Sequence, residues 1–310
     1  MKAQESKINE CGYSDSRTLN AEQLEALAQT ALLAAKTAGL MIAEQRGRKL
    51  SIEHKDNAAS LASAVFTEVD LMAEKIILET LQPSCEKYDL ALLTEESPDD
   101  GSRFKKDYFW CIDPLDGSLP FISGSAGFSV SIALVSQQGE AIIGVVYDPV
   151  EEILYHAIKG QGAFRNQEPW PLLQSSKSFT LYNDRSFKDF IHFEGICQNI
   201  KELSENLGFT EFKTSFEAGG VMNAIKVLEN PSACYFKLPR KGESGGSIWD
   251  YAASVCIFNE MGAVVTDFTG HELDLNRKAS TKLNHKGVIY SNNKLLKNVV
   301  LKDLESFYSS

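Results

Sequence analysis

Residues 108–118, Tyr-Phe-Trp-Cys-Ile-Asp-Pro-Leu-Asp-Gly-Ser, constrain this chain more than any other run. The apolar stretch Tyr108–Ile112 predicts a strand, and Asp113 and Asp116 set two carboxylates, three residues apart, at its end. Pro114 fixes its own φ and pushes Asp113 into an extended conformation. Gly117 leaves the backbone free to approach a ligand closely. A helix starting near Ser118 would turn its free N–H groups and positive dipole end toward the carboxylates. Such a turn can hold a hard cation and a phosphate side by side.

The rest of the chain supplies what must surround that turn. Asn20 to about Gln45 predicts a helix, with an N-cap at Asn20 and apolar residues from Leu24 to Ala38 at helical spacing. A second helix is expected from Thr67, burying Leu71, Ile76, Ile77 and Leu81. From Tyr88 to about Phe164 the pattern is mostly β: Phe128–Val135 alternates, Ala141–Tyr147 is β-branched, and Gln138-Gly139 marks a turn. This predicts an antiparallel sheet covered by the first two helices. Beyond Pro171, strand-like runs (Phe179–Tyr182, Ala233–Phe236, Ala263–Thr266, Gly287–Tyr290) alternate with helical ones (Gly195–Leu207, Gly219–Glu229, Ile248–Met261, Asn293–Tyr308), as in a smaller α/β layer. The expected organisation is a disordered polar tail over 1–19, an α+β domain over 20–175 and an α/β domain over 176–310.

Composition narrows the function classes. A formal charge of −11 argues against a nucleic-acid or membrane-surface partner, which calls for a basic face. By its sequence the chain is expected to have no apolar run approaching the ~20 residues of a membrane span, and a cytoplasmic protein is expected. The six cysteines (11, 85, 111, 197, 234, 256) show no C-x-x-C pair, and several lie in apolar runs, so they read as reduced core residues. The five histidines show no metal-ligand spacing. Gly160-Gln161-Gly162 reads as a turn, since no third glycine follows.

Further acidic positions each carry two readings. Glu95-Glu96 closes the run Leu90–Thr94 and is either a carboxylate at a strand end or part of a solvated acidic loop with Asp99 and Asp100. Asp70, three residues after Thr67, fits a helix cap, and Asp250, three residues after Ser247, fits another. Capping does not exclude a second role for either.

Taken in order, these segments resemble the inositol monophosphatase superfamily, which includes inositol monophosphatases, 3′(2′),5′-bisphosphate nucleotidases and fructose-1,6-bisphosphatases. Asp113–Ser118 is similar to its D-P-[IL]-D-G-[ST] signature, Thr67–Asp70 to its T-x-x-D box, Thr94–Ser97 to its G-E-E-S box and Trp249-Asp250 to its W-D box. The resemblance covers roughly residues 22–295. It implies a sugar-phosphatase-type αβαβα sandwich, with an N-terminal antiparallel sheet domain and a smaller C-terminal α/β domain. It also implies Mg²⁺-dependent hydrolysis of a phosphate monoester by metal-activated water, on an inositol monophosphate or an adenosine 3′(2′),5′-bisphosphate.

By the same resemblance, Glu95, Asp113, Asp116, Asp250 and the Leu115 carbonyl would hold two or three Mg²⁺, a hard cation suited to oxygen ligands. Glu95 and Ser118 would orient the attacking water, with Asp70 accepting a hydrogen bond from Ser118. Asp116 and the backbone N–H groups of Gly117 and Ser118 would hold the phosphate. A homodimer is expected on the same ground. The chain departs from the family pattern at Ser118, where threonine is more usual, and at Thr94 and Ala263, where glycines are. Leu119-Pro120-Phe121-Ile122 matches neither the inositol monophosphatase nor the nucleotidase sequence at that place. Lys237, Arg240 and Lys241 are either a subsite for a second anionic group or a solvated loop, and Lys55-Asp56 is either a lid or a surface loop. The competing hypothesis is a non-catalytic, phosphatase-like scaffold that binds an anionic metabolite or a protein partner.

Overall fold

Asn20 opens the first helix, α1 (Ala21–Gln45), with a reciprocal cap: its side chain accepts from the Gln23 N–H, and the Gln23 side chain accepts from the Asn20 N–H, both at 2.9 Å. The computed structural model describes residues 18–46, 52–54, 65–240, 242 and 245–308. Most of the expected N-terminal tail, the Lys55-Asp56 loop, Cys11 and Lys241 lie outside the described residues. Leu19, assigned to the tail by its sequence, is buried in the core beside α1.

By length and composition α1 is apolar enough to cross a membrane, with a mean hydropathy of 1.4 over its most apolar window, which corrects the sequence expectation. Its apolarity serves a packing face. Leu27, Ala28, Ala31, Leu32, Ala35, Ala38 and Ile42 are buried against the larger sheet and the next helix. Strands β1 (Ile52–His54) and β2 (Val65–Thr67) pair antiparallel, and α2 (Glu68–Tyr88) follows directly. Thr67 therefore ends a strand rather than starting the helix. Val69, Ala73, Ile77 and Leu81 face the core from α2, while Leu71 is 46% exposed, so the buried stripe is rotated from the expected one.

The larger sheet keeps chain order: β3 (Ala91–Thr94), β4 (Tyr108–Asp116), β5 (Ser129–Ser136), β6 (Ala141–Asp148), β7 (Ile153–Ile158), β8 (Gly162–Arg165) and β9 (Glu168–Pro169). Only β3 and β4 are parallel; every other neighbouring pair is antiparallel. The short helix α3 (Ser118–Ile122) leaves the end of β4. The Gly160–Gly162 segment is the turn joining β7 to β8, as its sequence predicts.

The chain then builds β10 (Ser178–Tyr182), α4 (Phe193–Asn206), β11 (Glu211–Ser215), α5 (Gly220–Leu228), β12 (Ala233–Lys237), α6 (Ile248–Glu260), β13 (Val264–Thr266), β14 (Val288–Ser291) and α7 (Lys294–Tyr308). The second sheet has the order β11-β10-β12-β14-β13, with β10 parallel to both β11 and β12.

Side-chain alternation stacks the layers. Trp110 and Ile112 of β4 face α1 and α2, whereas Phe109 and Cys111 face a core shared with α5, α6 and the inner face of the smaller sheet (Ala233, Tyr235, Tyr290). Cys234 and Phe236 point the other way, into a core with α4 and α7. The result is the αβαβα sandwich that the sequence resemblance implies. One expectation changes: the larger sheet is covered on both faces, not only by the first two helices. Ser129 and Ser131, which make β5 look half-exposed, are buried, and the Ser131 hydroxyl donates to the Trp249 carbonyl of α6 at 3.3 Å.

The five described cysteines are unpaired, four of them buried. The contact between α6 and the larger sheet is close enough to test. A Cβ on Gly144 of β6 would stand 2.3 Å from the Ala253 carbonyl oxygen and 2.8 Å from the Cys256 Cβ. Gly144→Ala should destabilise the protein by about 1–3 kcal/mol through overpacking, read as a lower urea midpoint. A midpoint equal to that of the parent protein would contradict this packing.

Candidate active site

The chemistry begins with one extra residue in β4. Against β5, Asp113 pairs with Ser131 but Asp116 pairs with Ser129, so three steps on one strand oppose two on the other. Residues three apart in a regular strand point to opposite faces; the bulge restores them to one face. Proline is tolerated at such a bulge because the ladder does not require its missing N–H. The Leu115 N–H turns back onto Asp113 Oδ1 at 3.1 Å. Both carboxylates are buried, Asp113 at 1% exposure and Asp116 at 6%.

Gly117 then takes the left-handed conformation at φ 86° and caps α3. A Cβ there would meet the Gly127 carbonyl at 3.0 Å, so glycine suits both the dihedral and the space. The Ser118 hydroxyl donates to the Leu115 carbonyl at 3.5 Å, where a bond to Asp70 was expected.

Asp250 sits in the first turn of α6, and its reading as a helix cap holds. Its carboxylate accepts from the Ser247 N–H in a capping box, and it also joins Asp113 and Asp116. One carboxylate oxygen from each of these three residues lies within 4.8 Å of the others. Glu95, half-buried, lines the same cavity together with Leu115, Gly117 and Ser118. Its N–H donates to the Ile112 carbonyl at 3.2 Å, continuing the parallel β3–β4 ladder. Asp70 is buried in the first turn of α2 and reaches the cluster through its charge on Asp113.

Two supporting groups escaped the sequence analysis. Buried Glu74 of α2 accepts from the Thr94 hydroxyl at 2.8 Å and the Ser97 hydroxyl at 3.0 Å, holding both ends of the segment that carries Glu95. The departure from glycine at Thr94 therefore adds an anchor. The start of α5 holds Asp116: the Gly220 and Val221 N–H groups donate to its two oxygens at 3.1 and 2.9 Å. A Cβ on Gly219 would lie 2.4 Å from Asp116 Oδ2, so the Gly219-Gly220 pair was the available signal.

Lys237 and Arg240 both line the cavity, but differently. Lys237 Nζ pairs with Asp184 at 3.3 Å, and Asp184 also accepts from the Tyr235 hydroxyl at 3.0 Å and the Asn223 amide at 3.2 Å. Burial works against the Lys237 charge, yet Asp184 and its acidic surroundings outweigh it and hold the ammonium well above its ordinary pKa. Arg240 is exposed at the rim.

Burial, then the charges of Glu95, Asp116, Asp250 and Asp70, push the Asp113 carboxyl well above the usual carboxylate range. Burial and Asp250 push Asp116 up to about 7, against the opposing pull of Lys237 and the Val221 N–H. Buried carboxylates crowded in this way fit a divalent cation, and the all-oxygen donor set, with no histidine or cysteine among the described residues lining the cavity, suits Mg²⁺.

The sign of the resulting pH dependence follows. Folded, metal-free protein keeps the Asp116 proton up to about pH 7, whereas an unfolded carboxyl releases it near ~4. The folded state thus binds more protons between those values, and stability falls as pH rises. Metal-free protein should lose melting temperature between pH 5.5 and pH 8, less so in Asp116→Asn, and saturating Mg²⁺ should offset the loss. Equal pH profiles for the two proteins, or no Mg²⁺ effect, would contradict this electrostatic account.

Residues 23–308 match the inositol monophosphatase family. The chain is 30% identical to inositol-1-monophosphatase of Synechocystis over 82% of its own length and 83% of the relative's. It is 31% identical to the 3′(2′),5′-bisphosphate nucleotidase CysQ of Salmonella typhimurium, over 69% and 80% of the two chains. The solved inositol monophosphatase of Thermotoga maritima shares the fold, with a TM-score of 0.67 and 24% identity across 90% of this chain and 98% of that one. A match of this extent, on a chain that folds three of its four motif segments around one acidic cavity, makes the protein a member of the inositol monophosphatase family.

Proposed function

We propose that the protein is a Mg²⁺-dependent phosphoric monoester hydrolase acting on a small phosphorylated metabolite, an inositol monophosphate or an adenosine 3′(2′),5′-bisphosphate. The observation that carries this reading is the convergence of Asp113, Asp116 and Asp250 within 4.8 Å, in a cavity of about 490 Å³. That volume suits a small ligand.

Glu95, Asp113, Asp116, Asp250 and the Leu115 carbonyl would hold two or three Mg²⁺. Bound there, the ions would supply Lewis acidity toward the phosphoryl oxygens and lower the pKa of a water. Glu95 would orient that water and take up its proton, with Ser118 assisting from the start of α3. Asp70, buried behind the cluster, adds negative charge that favours cation binding. The N–H groups of Gly117 and Ser118, at the cavity wall, would hold the phosphate. Lys237, fixed by Asp184, partly balances the carboxylates. No side-chain nucleophile is needed.

Glu95→Gln removes a proton acceptor and keeps the shape. Phosphate release from inositol 1-phosphate and from adenosine 3′,5′-bisphosphate with Mg²⁺ should fall about 10²–10⁴-fold in kcat. Parent protein that hydrolyses neither compound, with Glu95→Gln indistinguishable from it, would favour the non-catalytic scaffold instead.

A further inference from the structure

Four cationic side chains line the cavity: Arg185, Lys237, Arg240 and Lys282. They differ in how far their charge is already spoken for. Lys237 is paired with Asp184, while Arg185 and Arg240 are exposed at the rim. Lys282 is half-buried and makes no ion pair with a carboxylate among the described residues. Its Nζ donates to the Ser247 hydroxyl at 2.8 Å and lies 5.8 Å from the centre of the Trp249 ring. Both partners are neutral, so the ammonium is held in place without being neutralised.

The backbone around Lys282 is built to keep it there. Ser247 and Lys282 form an isolated antiparallel bridge, flanked by Ile248 N–H to Thr281 carbonyl and Leu283 N–H to Gly246 carbonyl bonds, each 2.9 Å. The Lys282 carbonyl accepts from the Arg277 guanidinium at 2.7 Å, and its N–H donates to the Ser280 hydroxyl at 3.1 Å. The base of this strap is held by Arg103, 2% exposed, which donates to the Asn276 side chain and to the Arg277 carbonyl at 3.1 Å. A free lysine side chain loses rotamer freedom when it is ordered. Here much of that ordering precedes any ligand. Ser247 also caps the helix that carries Asp250, which sets the ammonium beside the carboxylate cluster but off it.

We propose that Lys282 is a specificity-determining residue that binds a second phosphate on the substrate, and that the cavity prefers bisphosphorylated over monophosphorylated esters. This rests on the phosphatase reading of the cavity. It also moves anion recognition from Lys237, whose charge is committed to Asp184, to a cation on the opposing strap.

The test compares adenosine 3′,5′-bisphosphate with adenosine 3′-monophosphate, which differ only in the second phosphate. In Lys282→Met, the ratio of kcat/KM for the two should fall about tenfold to a hundredfold, as expected for loss of one charge-assisted hydrogen bond, with the change in KM. Lys282→Arg should restore part of it. Calorimetric titration of both nucleotides into metal-free protein supplies the same ratio as affinities, without turnover. An unchanged ratio in both measurements overturns the proposal, because a lysine that only braces the Ser247 turn would weaken both nucleotides alike. Absence of turnover in the parent protein, with the affinity ratio still dependent on Lys282, would instead sink the phosphatase reading and with it the substrate role, leaving Lys282 only as a ligand of the second phosphate.

Discussion

Like charges held close in a buried place organise this molecule. Asp113, Asp116 and Asp250 would repel one another at any pH where all three ionise, and burial adds a desolvation penalty to Asp113 and Asp116. They are nevertheless brought together by three separate backbone devices. A bulge turns Asp116 onto the face of Asp113, the start of α5 donates two N–H groups to Asp116, and the cap of α6 fixes Asp250. A fold that spends such structure on mutually repelling groups is organised around a cation that reconciles them.

The layered architecture explains why these devices meet. The helices α5 and α6 lie between the two sheets, so their first turns are carried to the carboxyl end of β4. The smaller sheet contributes from its own side. Its strands β10 and β12 run parallel, and the chain leaving them provides Asp184 and Lys237 on one rim of the cavity. Ligand crevices in α/β sheets commonly lie outside the carboxyl ends of parallel strands, where chain order reverses. Here β10 sits between β11 and β12, at such a reversal. The larger sheet thus presents Asp113 and Asp116, α6 presents Asp250, and the smaller sheet presents Lys237.

Much of this was legible in the sequence because the motifs are local. Asp113–Ser118 carries its proline, its glycine and both carboxylates within six residues, and the Ser247–Asp250 cap is equally compact. Helix and strand periods placed most elements. Illegible features depended on contacts between distant segments. Ser129 and Ser131 look like the solvent face of a strand, and only the packing of α6 buries them. Leu71 looks like a core residue, but the stripe Val69, Ala73, Ile77 and Leu81 takes the buried face and leaves it exposed. The edge strand Glu211–Ser215 shows no apolar alternation and was not anticipated. Lys237 looks like a free cation because its partner, Asp184, lies 53 positions earlier (237 − 184). Glu74, Arg103 and Lys282 act through partners 20, 173 and 35 positions away.

The central claim is that the bulge-presented carboxylates form a divalent-cation site. Titration calorimetry of Mg²⁺ into metal-free protein, beside the Asp116→Asn variant, tests it most directly. The account predicts saturable binding by the parent protein, weakened at least tenfold in the variant while the variant still unfolds cooperatively. Absence of Mg²⁺ binding by folded parent protein, or equal binding by the two, would contradict it.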